Sequence, residues 1–150
     1  MSQTYSLVYI HVVFSTKDRF PFLHSEIRAR VHAYLATIAR QHGCAPVEVG
    51  GMADHVHLAI RLSRTITIAK LVEELKTDSS KWIKTLSPTM DKFSWQRGYG
   101  CFSVGPADIQ NLQKYIQEQE VHHKTKTFQD EFLRFCTKYG IELNEAFIQD

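Results

Sequence analysis

Residues 55–62, His-Val-His-Leu-Ala-Ile-Arg-Leu, constrain the fold more than any other stretch, because two imidazoles separated by one apolar residue face the same way only on an extended strand. Side chains alternate across a strand with period two, so His55, His57, Ala59 and Arg61 share one face while Val56, Leu58, Ile60 and Leu62 share the other. The apolar face must be buried against a second layer. The histidine face is left to be offered to a ligand. Neutral imidazole is the commonest protein metal ligand, and two on one strand form a pre-set pair of nitrogens that needs only one or two further donors. Tyr115 to Gln119, with His122 and His123 close behind, supplies candidates for them.

The rest of the chain fits around that strand. Tyr5 to Phe14 is β-branched and aromatic with scarcely a polar break, as a central strand covered on both faces requires. Ser25 caps a helix predicted over 26–41, with Ile27, Val31, Tyr34, Leu35 and Ile38 on one stripe. Ala45 to Val49 reads as a short strand, Gly50-Gly51 as a turn, and Met52 to Leu62 as the strand bearing the histidines. Ile68, Leu71, Val72, Leu75, Trp82, Ile83 and Leu86 predict a second helix over 67–86, with Lys70, Lys76, Lys81 and Lys84 on its other face. Phe93 to Val104, punctuated by Gly98 and Gly100, reads as a bent strand or hairpin, and Gly105-Pro106-Ala107-Asp108 opens a third helix reaching His123. Strand, helix, strand, strand, helix, strand and an added helix is the α+β, ferredoxin-like split βαβ plan: an antiparallel sheet with two helices on one face and the other face open for the histidines. The tail from Thr127, with Phe128, Phe132, Phe135, Tyr139, Ile141, Leu143 and Phe147, is apolar enough to pack on the body or on a partner subunit.

At 150 residues the chain has the length of one domain, and residues 1–150 are expected to form one. A hydrophobic fraction of 43% beside 23% charged residues suits a globular protein, and no apolar run approaches the roughly 18 residues of a membrane span. The start at Met1-Ser2-Gln3-Thr4 lacks the pattern of a signal peptide, which points to the cytoplasm. Cys44, Cys101 and Cys136 are odd in number and show no CxxC spacing, so they indicate neither a disulfide framework nor a zinc knuckle. Residues 1–90 hold 11 Lys and Arg against 7 Asp and Glu, residues 91–150 hold 7 against 9, so phosphate-rich partners would prefer the first part.

On the third helix Tyr115, Gln119 and His122 recur at spacings of four and three and project from one face. If that face lies across the sheet, Gln119 can add an oxygen to a divalent cation held by His55 and His57, with Tyr115 one turn away. A tyrosine suits attack on a phosphodiester because the phosphotyrosine conserves the bond energy for a later hydroxyl to recover. A free phenol has a pKa near about 10, so its anion and the charge building on phosphorus need stabilising. Mixed N/O ligation fits Mg²⁺ or Mn²⁺, whereas zinc prefers a third His or Cys.

These motifs, GGMADHVHLAI around His55 and His57, KDR after the first strand, WQRGYGCFSV, and YIQEQEVHH, resemble the single-tyrosine HUH transposases of the bacterial insertion-sequence 200/605 group, the IS200-like transposase family. The resemblance spans residues 5–125. It implies a dimeric nuclease that recognises DNA hairpins at element ends, cuts single-stranded DNA and holds the 5′ end on tyrosine. Carried over by position, Tyr115 would be the nucleophile and His55, His57 and Gln119 the metal ligands. The resemblance also implies active sites shared between subunits, with Tyr115 supplied to the other protomer's histidines in at least one state, and Gly105-Pro106 at the start of the tyrosine helix is compatible with a hinge.

His122 and His123 stand near this constellation, either beside the metal or phosphate or as charges complementing the helix end. Asp54 reads as a turn or supporting residue, and His11 as a core histidine that could face the site. Arg61, Arg64, Lys76, Lys81 and Arg97 are candidate phosphate contacts against a default of solvated surface. Phe93, Trp95 and Tyr99 could stack on bases, although core packing is their default. Two competing functions use the same fold: a non-catalytic module that binds hairpins or single strands, and a metal-dependent phosphodiesterase with water as nucleophile.

Overall fold

The computed structural model describes residues 3–142; the tail positions Leu143 and Phe147 lie outside the described residues. Strand β1 (Tyr9–Ser15), buried over its last six residues, pairs antiparallel with β3 (His55–Arg61) on one side and β4 (Gly100–Val104) on the other. Strand β2 (Ala45–Gly51) pairs antiparallel with the far side of β3, giving the order β2-β3-β1-β4. Helix α1 (Ser25–Gln41) joins β1 to β2, and α2 (Ile68–Ile83) joins β3 to β4. This is the split βαβ sheet that the order of elements predicts.

The first strand is shorter than its sequence suggests. The ladder begins at Tyr9, opposite Arg61 and Val104, where both neighbours run out, and Tyr5, Leu7 and Val8 are exposed. The segment from Phe93 yields a strand only from Gly100. Phe93 and Trp95 turn inward and pack edge-on against Phe22 and Phe14, and a single bridge joins Trp95 to Thr16. Core packing, the default for these aromatics, is what the structure shows for both.

Alternation sorts the sheet into two interfaces. Ile10, Val12, Phe14, Val56, Leu58 and Ile60 point toward α1 and α2 and form the main core with Val31, Leu35, Leu71 and Leu75. The other face is not open, contrary to the sequence reading. Helix α3 (Ile109–Gln117), a one-turn helix α4 (Gln119–His122) and α5 (Phe128–Lys138) follow β4, and α3 and α5 lie over this face. Ile109 and Ile116 pack on Ala59, while Phe128, Phe132 and Cys136 pack on Val13 and Phe102. Burying each such phenylalanine contributes roughly 1.5–3 kcal/mol, so the apolar tail has reason to dock. Thr127 and Asp130 form a capping box that fixes where α5 begins. The single third helix expected to reach His123 breaks at Glu118 (φ −99°, ψ 21°), and Gly105–Asp108 forms a turn before it.

Two glycines set how closely these layers approach. Gly50 lies opposite His57, and a Cβ there would sit 2.6 Å from Ile116 Cγ2 and 2.9 Å from the Ile116 carbonyl oxygen. Gly51 has φ +152° and would drive a Cβ into the His55 carbonyl, so the strand can turn into β3 only with glycine. Gly50→Ala is expected to push α3 off β2 and cost about 1–3 kcal/mol by overpacking, read as a lower urea midpoint with an unchanged slope.

Candidate active site

The strand alternation brings His55 and His57 side by side beneath α3 and α5, both without solvent exposure. Each ring is held from outside. His55 Nδ1 donates to Asp54 Oδ1 at 2.7 Å, and His57 Nδ1 lies 2.7 Å from Nε2 of buried His11, one of the two nitrogens donating. Asp54 is thus the supporting residue the sequence reading preferred, and His11 is at once a core histidine and a neighbour of the site. With both Nδ1 atoms engaged, both Nε2 atoms point into the same enclosed space, the arrangement by which a histidine's second nitrogen orients the first toward a metal.

Helix α3 and its broken continuation fill the opposite wall. Gln119, on the first residue of α4, places Oε1 2.9 Å from His55 Nε2. Tyr115 stacks on His122, with ring centroids 4.4 Å apart, and lies edge-on to His57 at 5.9 Å. The break at Glu118 therefore preserves the shared face of Tyr115, Gln119 and His122. The phenol comes from the same chain as the histidines it faces.

The side contributed by α5 was missed in the sequence. Glu131, on α5, is 3% exposed. Its Oε1 lies 2.8 Å from His57 Nε2 and 3.5 Å from His55 Nε2, and its Oε2 accepts from Tyr115 Oη and from Gln119 Nε2 at 3.1 Å. His123 Nε2 lies 3.2 Å from the same Oε2, without hydrogen-bond geometry to any group. One donor atom each from His55, His57, His123 and Glu131 falls within 4.8 Å of the others, so this group could hold a metal ion. The buried, unpartnered His123 nitrogen and the inward pair of Nε2 atoms suit such an ion. The signal for Glu131 was present: it is the one acidic residue on the apolar stripe Phe128, Phe132, Phe135, a position where a charge is stable only with buried partners.

Electrostatics follow from this enclosure. Burial alone would raise the Glu131 carboxyl, but the close approach of His123 and the hydrogen bond with His57 outweigh it and hold the group below the usual carboxylate range. Burial lowers His11 well below the usual imidazole value, with His57 adding to the effect, and burial lowers His57 despite Glu131. His123 is raised, its loss of solvent outweighed by Glu131. Burial and then Glu131 push the Tyr115 phenol up, so it stays protonated at neutral pH.

The expected DNA contacts are dispersed. Lys76 donates to the carbonyls of Gln96 and Gly98 at 2.7 Å each, a structural role that competes with a phosphate contact. Lys81 and Arg97 are exposed, Lys81 on α2 and so on the layer opposite the histidines. Arg61 and Arg64 border a groove with residues 4–7, and Arg61 donates to the Ser6 carbonyl at 2.9 Å. Nearer the tyrosine, a cleft of about 430 Å³ is lined by Tyr115, His11 and Asn111 and by exposed Arg134, Lys138 and Tyr139.

On α1, His32 keeps a buried Nε2 without a partner and is lowered to about 4, first by burial and then by Arg28. In the unfolded chain His11, His32 and His57 take up protons near pH 6.5 that the folded chain refuses, so stability is full above that value and falls as acid is added. For His32 the loss runs from 6.5 down to about 4. His123 acts in the opposite sense, but singly. The melting temperature is expected to drop between pH 7 and pH 5, and His32→Gln to flatten that slope in calorimetry.

The description "Transposase IS200 like" matches residues 4–119. The ISDra2 transposase TnpA of Deinococcus radiodurans is 28% identical over 120 residues, covering 77% of this chain and 85% of that protein. A crystal structure from Deinococcus radiodurans, assigned as a transposase, superposes with a TM-score of 0.63 at 24% identity, covering 79% of this chain and 95% of that one. The REP-associated tyrosine transposase bound to a REP hairpin superposes at 0.60 with 13% identity, covering 82% of this chain and 74% of that one. At those identities the two structures show a shared fold. The family match takes in the histidine strand, Tyr115 and Gln119 and ends short of α5; over that span the chain belongs to the IS200-like transposase family.

Proposed function

We propose that residues 1–150 act as one single-tyrosine HUH endonuclease and strand transferase, which cuts and rejoins single-stranded DNA through a 5′-phosphotyrosine. The observation that carries this reading is the pair of Nε2 atoms aimed inward, each ring held by its Nδ1, with the Tyr115 ring edge-on to His57 at 5.9 Å and its hydroxyl on Glu131, which also meets His57 Nε2. Tyr115 is the proposed nucleophile, and His55, His57 and Gln119 the proposed ligands of Mg²⁺ or Mn²⁺. When bound, the ion would polarise a non-bridging phosphate oxygen and favour departure of the 3′-hydroxyl. The protein's own part is to hold the phenol. Tyr115 Oη forms the bond to phosphorus as the P–O3′ bond breaks, and the 3′-oxygen leaves with the bonding electron pair and becomes a hydroxyl by taking a proton from solvent, in exchange for the one the phenol releases. The Glu131 carboxylate that already accepts the phenol's hydrogen bond receives its proton. Attack by a 3′-hydroxyl on the phosphotyrosine reverses each bond change and rejoins the strands without ATP.

The cleft beside Tyr115 is the natural path for the cut strand, because Arg134 and Lys138 put two cations at its mouth and Tyr139 an aromatic ring. Arg61, Arg64, Lys81 and Arg97 are proposed to contact the flanking hairpin instead, since Lys81 stands on the opposite layer and Arg61 and Arg64 border a separate groove. His122 would keep Tyr115 in place by stacking. The family resemblance supports a homodimer working in the cytoplasm. Among the described residues no helix is long and apolar enough to cross a membrane.

Labelled single-stranded oligonucleotides from the chain's own flanking DNA, incubated with Mn²⁺ or with chelator and run on a denaturing gel, test this. The expected result is a metal-dependent protein–DNA adduct that disappears in Tyr115→Phe. Free cleaved product without adduct would mean water is the nucleophile, and binding without cleavage would mean a binding module. The double substitution Arg134→Ala, Lys138→Ala is expected to weaken single-strand binding and to reduce the salt slope by about 1.4, from roughly 0.7 per phosphate contact. Light scattering after gel filtration should return twice the chain mass; a stable monomer would overturn the dimer.

A further inference from the structure

We propose that Glu131 and His123 are resident ligands of the metal, so that the site has three imidazoles and one carboxylate and takes a first-row transition ion in preference to Mg²⁺. This rests on the proposed metal chemistry and changes its ligand set. The family match ends at residue 119, before either residue.

Separations among the donors carry the argument. Two ligands about 2.1 Å from one ion, and roughly 90–110° apart, lie about 3.0–3.4 Å from each other. His57 Nε2 and Glu131 Oε1 are 2.8 Å apart, His55 Nε2 and the same oxygen 3.5 Å, and His123 Nε2 and Glu131 Oε2 3.2 Å. One of these separations lies within that window and the others just below and just above it, so small shifts of the side chains would set one donor from each of the four residues around a single centre. His123 Nε2 has no hydrogen-bond partner although it is enclosed, as a nitrogen kept for an ion would be. Glu131 is fixed from its far side by Tyr115 and by the Gln119 amide at 3.1 Å, so it is oriented before any ion arrives. Gln119 in this arrangement positions Glu131 as well as facing His55.

The donor chemistry sets the selectivity. Mg²⁺ prefers an octahedron of oxygens and retains water, which a buried cluster of three imidazoles does not offer. Imidazole nitrogen suits Mn²⁺, Co²⁺ and Zn²⁺ better, and a third histidine is what the strand pair lacked. Ligation by Glu131 also ties the ion to α5, because that residue sits among Phe128 and Phe132, which hold the helix on the sheet. Binding of the ion should therefore slow opening of α5.

The test is equilibrium binding of Mn²⁺, Zn²⁺ and Mg²⁺ to the full chain by calorimetry, with His55→Ala, Glu131→Gln and His123→Asn alongside and folding checked by circular dichroism. The expected result is at least about tenfold weaker Mn²⁺ and Zn²⁺ binding in each variant, and Mg²⁺ binding at least about tenfold weaker than Mn²⁺ in the unmodified chain. Unchanged affinity in Glu131→Gln and His123→Asn, with loss in His55→Ala, would overturn the assignment and leave the original ligands standing. Failure of the unmodified chain to bind any of the three ions would overturn the metal-dependent function itself. Should the variants misfold, amide exchange in the unmodified chain decides: Mn²⁺ must slow exchange across 128–138, and unchanged exchange there with ion bound refutes ligation by Glu131.

Discussion

The Glu131 carboxylate, buried between a histidine strand and a tyrosine helix, is the interaction on which the second layer of this molecule depends. An ionised carboxylate withdrawn from water without partners costs several kcal/mol, more than one buried phenylalanine returns. Helix α5 can dock only because the facing surface offers partners for it: His57, the Gln119 amide and the Tyr115 hydroxyl by hydrogen bonds, and His123 by its close approach at 3.2 Å. The dependence is mutual. Those partners are cut off from solvent by the helix that carries the carboxylate, and removing either side would strand the other as unpaired buried polarity. A surface that would otherwise be a wet, open sheet thereby becomes a closed polar chamber inside an apolar frame.

The frame is set by backbone geometry more than by the polar groups. Alternation along β3 sends Val56, Leu58 and Ile60 into the main core, so the histidines cannot turn away from the chamber without exposing that row. Pairing of Val13 with His57 and of His11 with Ala59 puts the His11 ring diagonally beside His57, close enough for the contact between them. Gly50 then lets the Ile116 backbone come down onto β2, and Tyr115 is the residue just before it. The position of Tyr115 thus depends on the absence of one methyl group on a neighbouring strand.

The sheet order, both covering helices and the meeting of His55, His57, Tyr115 and Gln119 were legible because each follows from a local period: two for the strands, 3.6 for the helices. What escaped was set by contacts between segments far apart in sequence. The break at Glu118 falls within a stretch that is helical by pattern, and what it achieves is to set Gln119 over His55, a residue 64 positions away. The shortening of the first strand depends on where β3 and β4 end, not on the residues Tyr5 to Val8 themselves. Glu131 was passed over although its place on the stripe of Phe128, Phe132 and Phe135 marks it as facing inward, because the partners that stabilise it there lie on segments far away in sequence. Likewise the α2 lysines read as a phosphate surface in sequence, whereas the layer order puts α2 behind the sheet from the tyrosine.

The chamber also bears on how a tyrosine can remain idle until needed. An exposed phenol is a poor nucleophile because little of it ionises at neutral pH, and burial beside a carboxylate makes this one poorer still. Its hydrogen bond to Glu131 holds the proton on Tyr115 as long as that carboxylate keeps its negative charge near the ring. A cation set among the histidines would draw that charge away from the phenol and, with a phosphate alongside, favour the phenolate over the phenol. The carboxylate that holds the proton on the phenol in the resting chain is also the nearest group to which that proton would pass. If Tyr115 is the nucleophile proposed above, it would gain reactivity only when both the ion and the strand are present, which would guard the site against attack on whatever phosphate happens to enter the cleft.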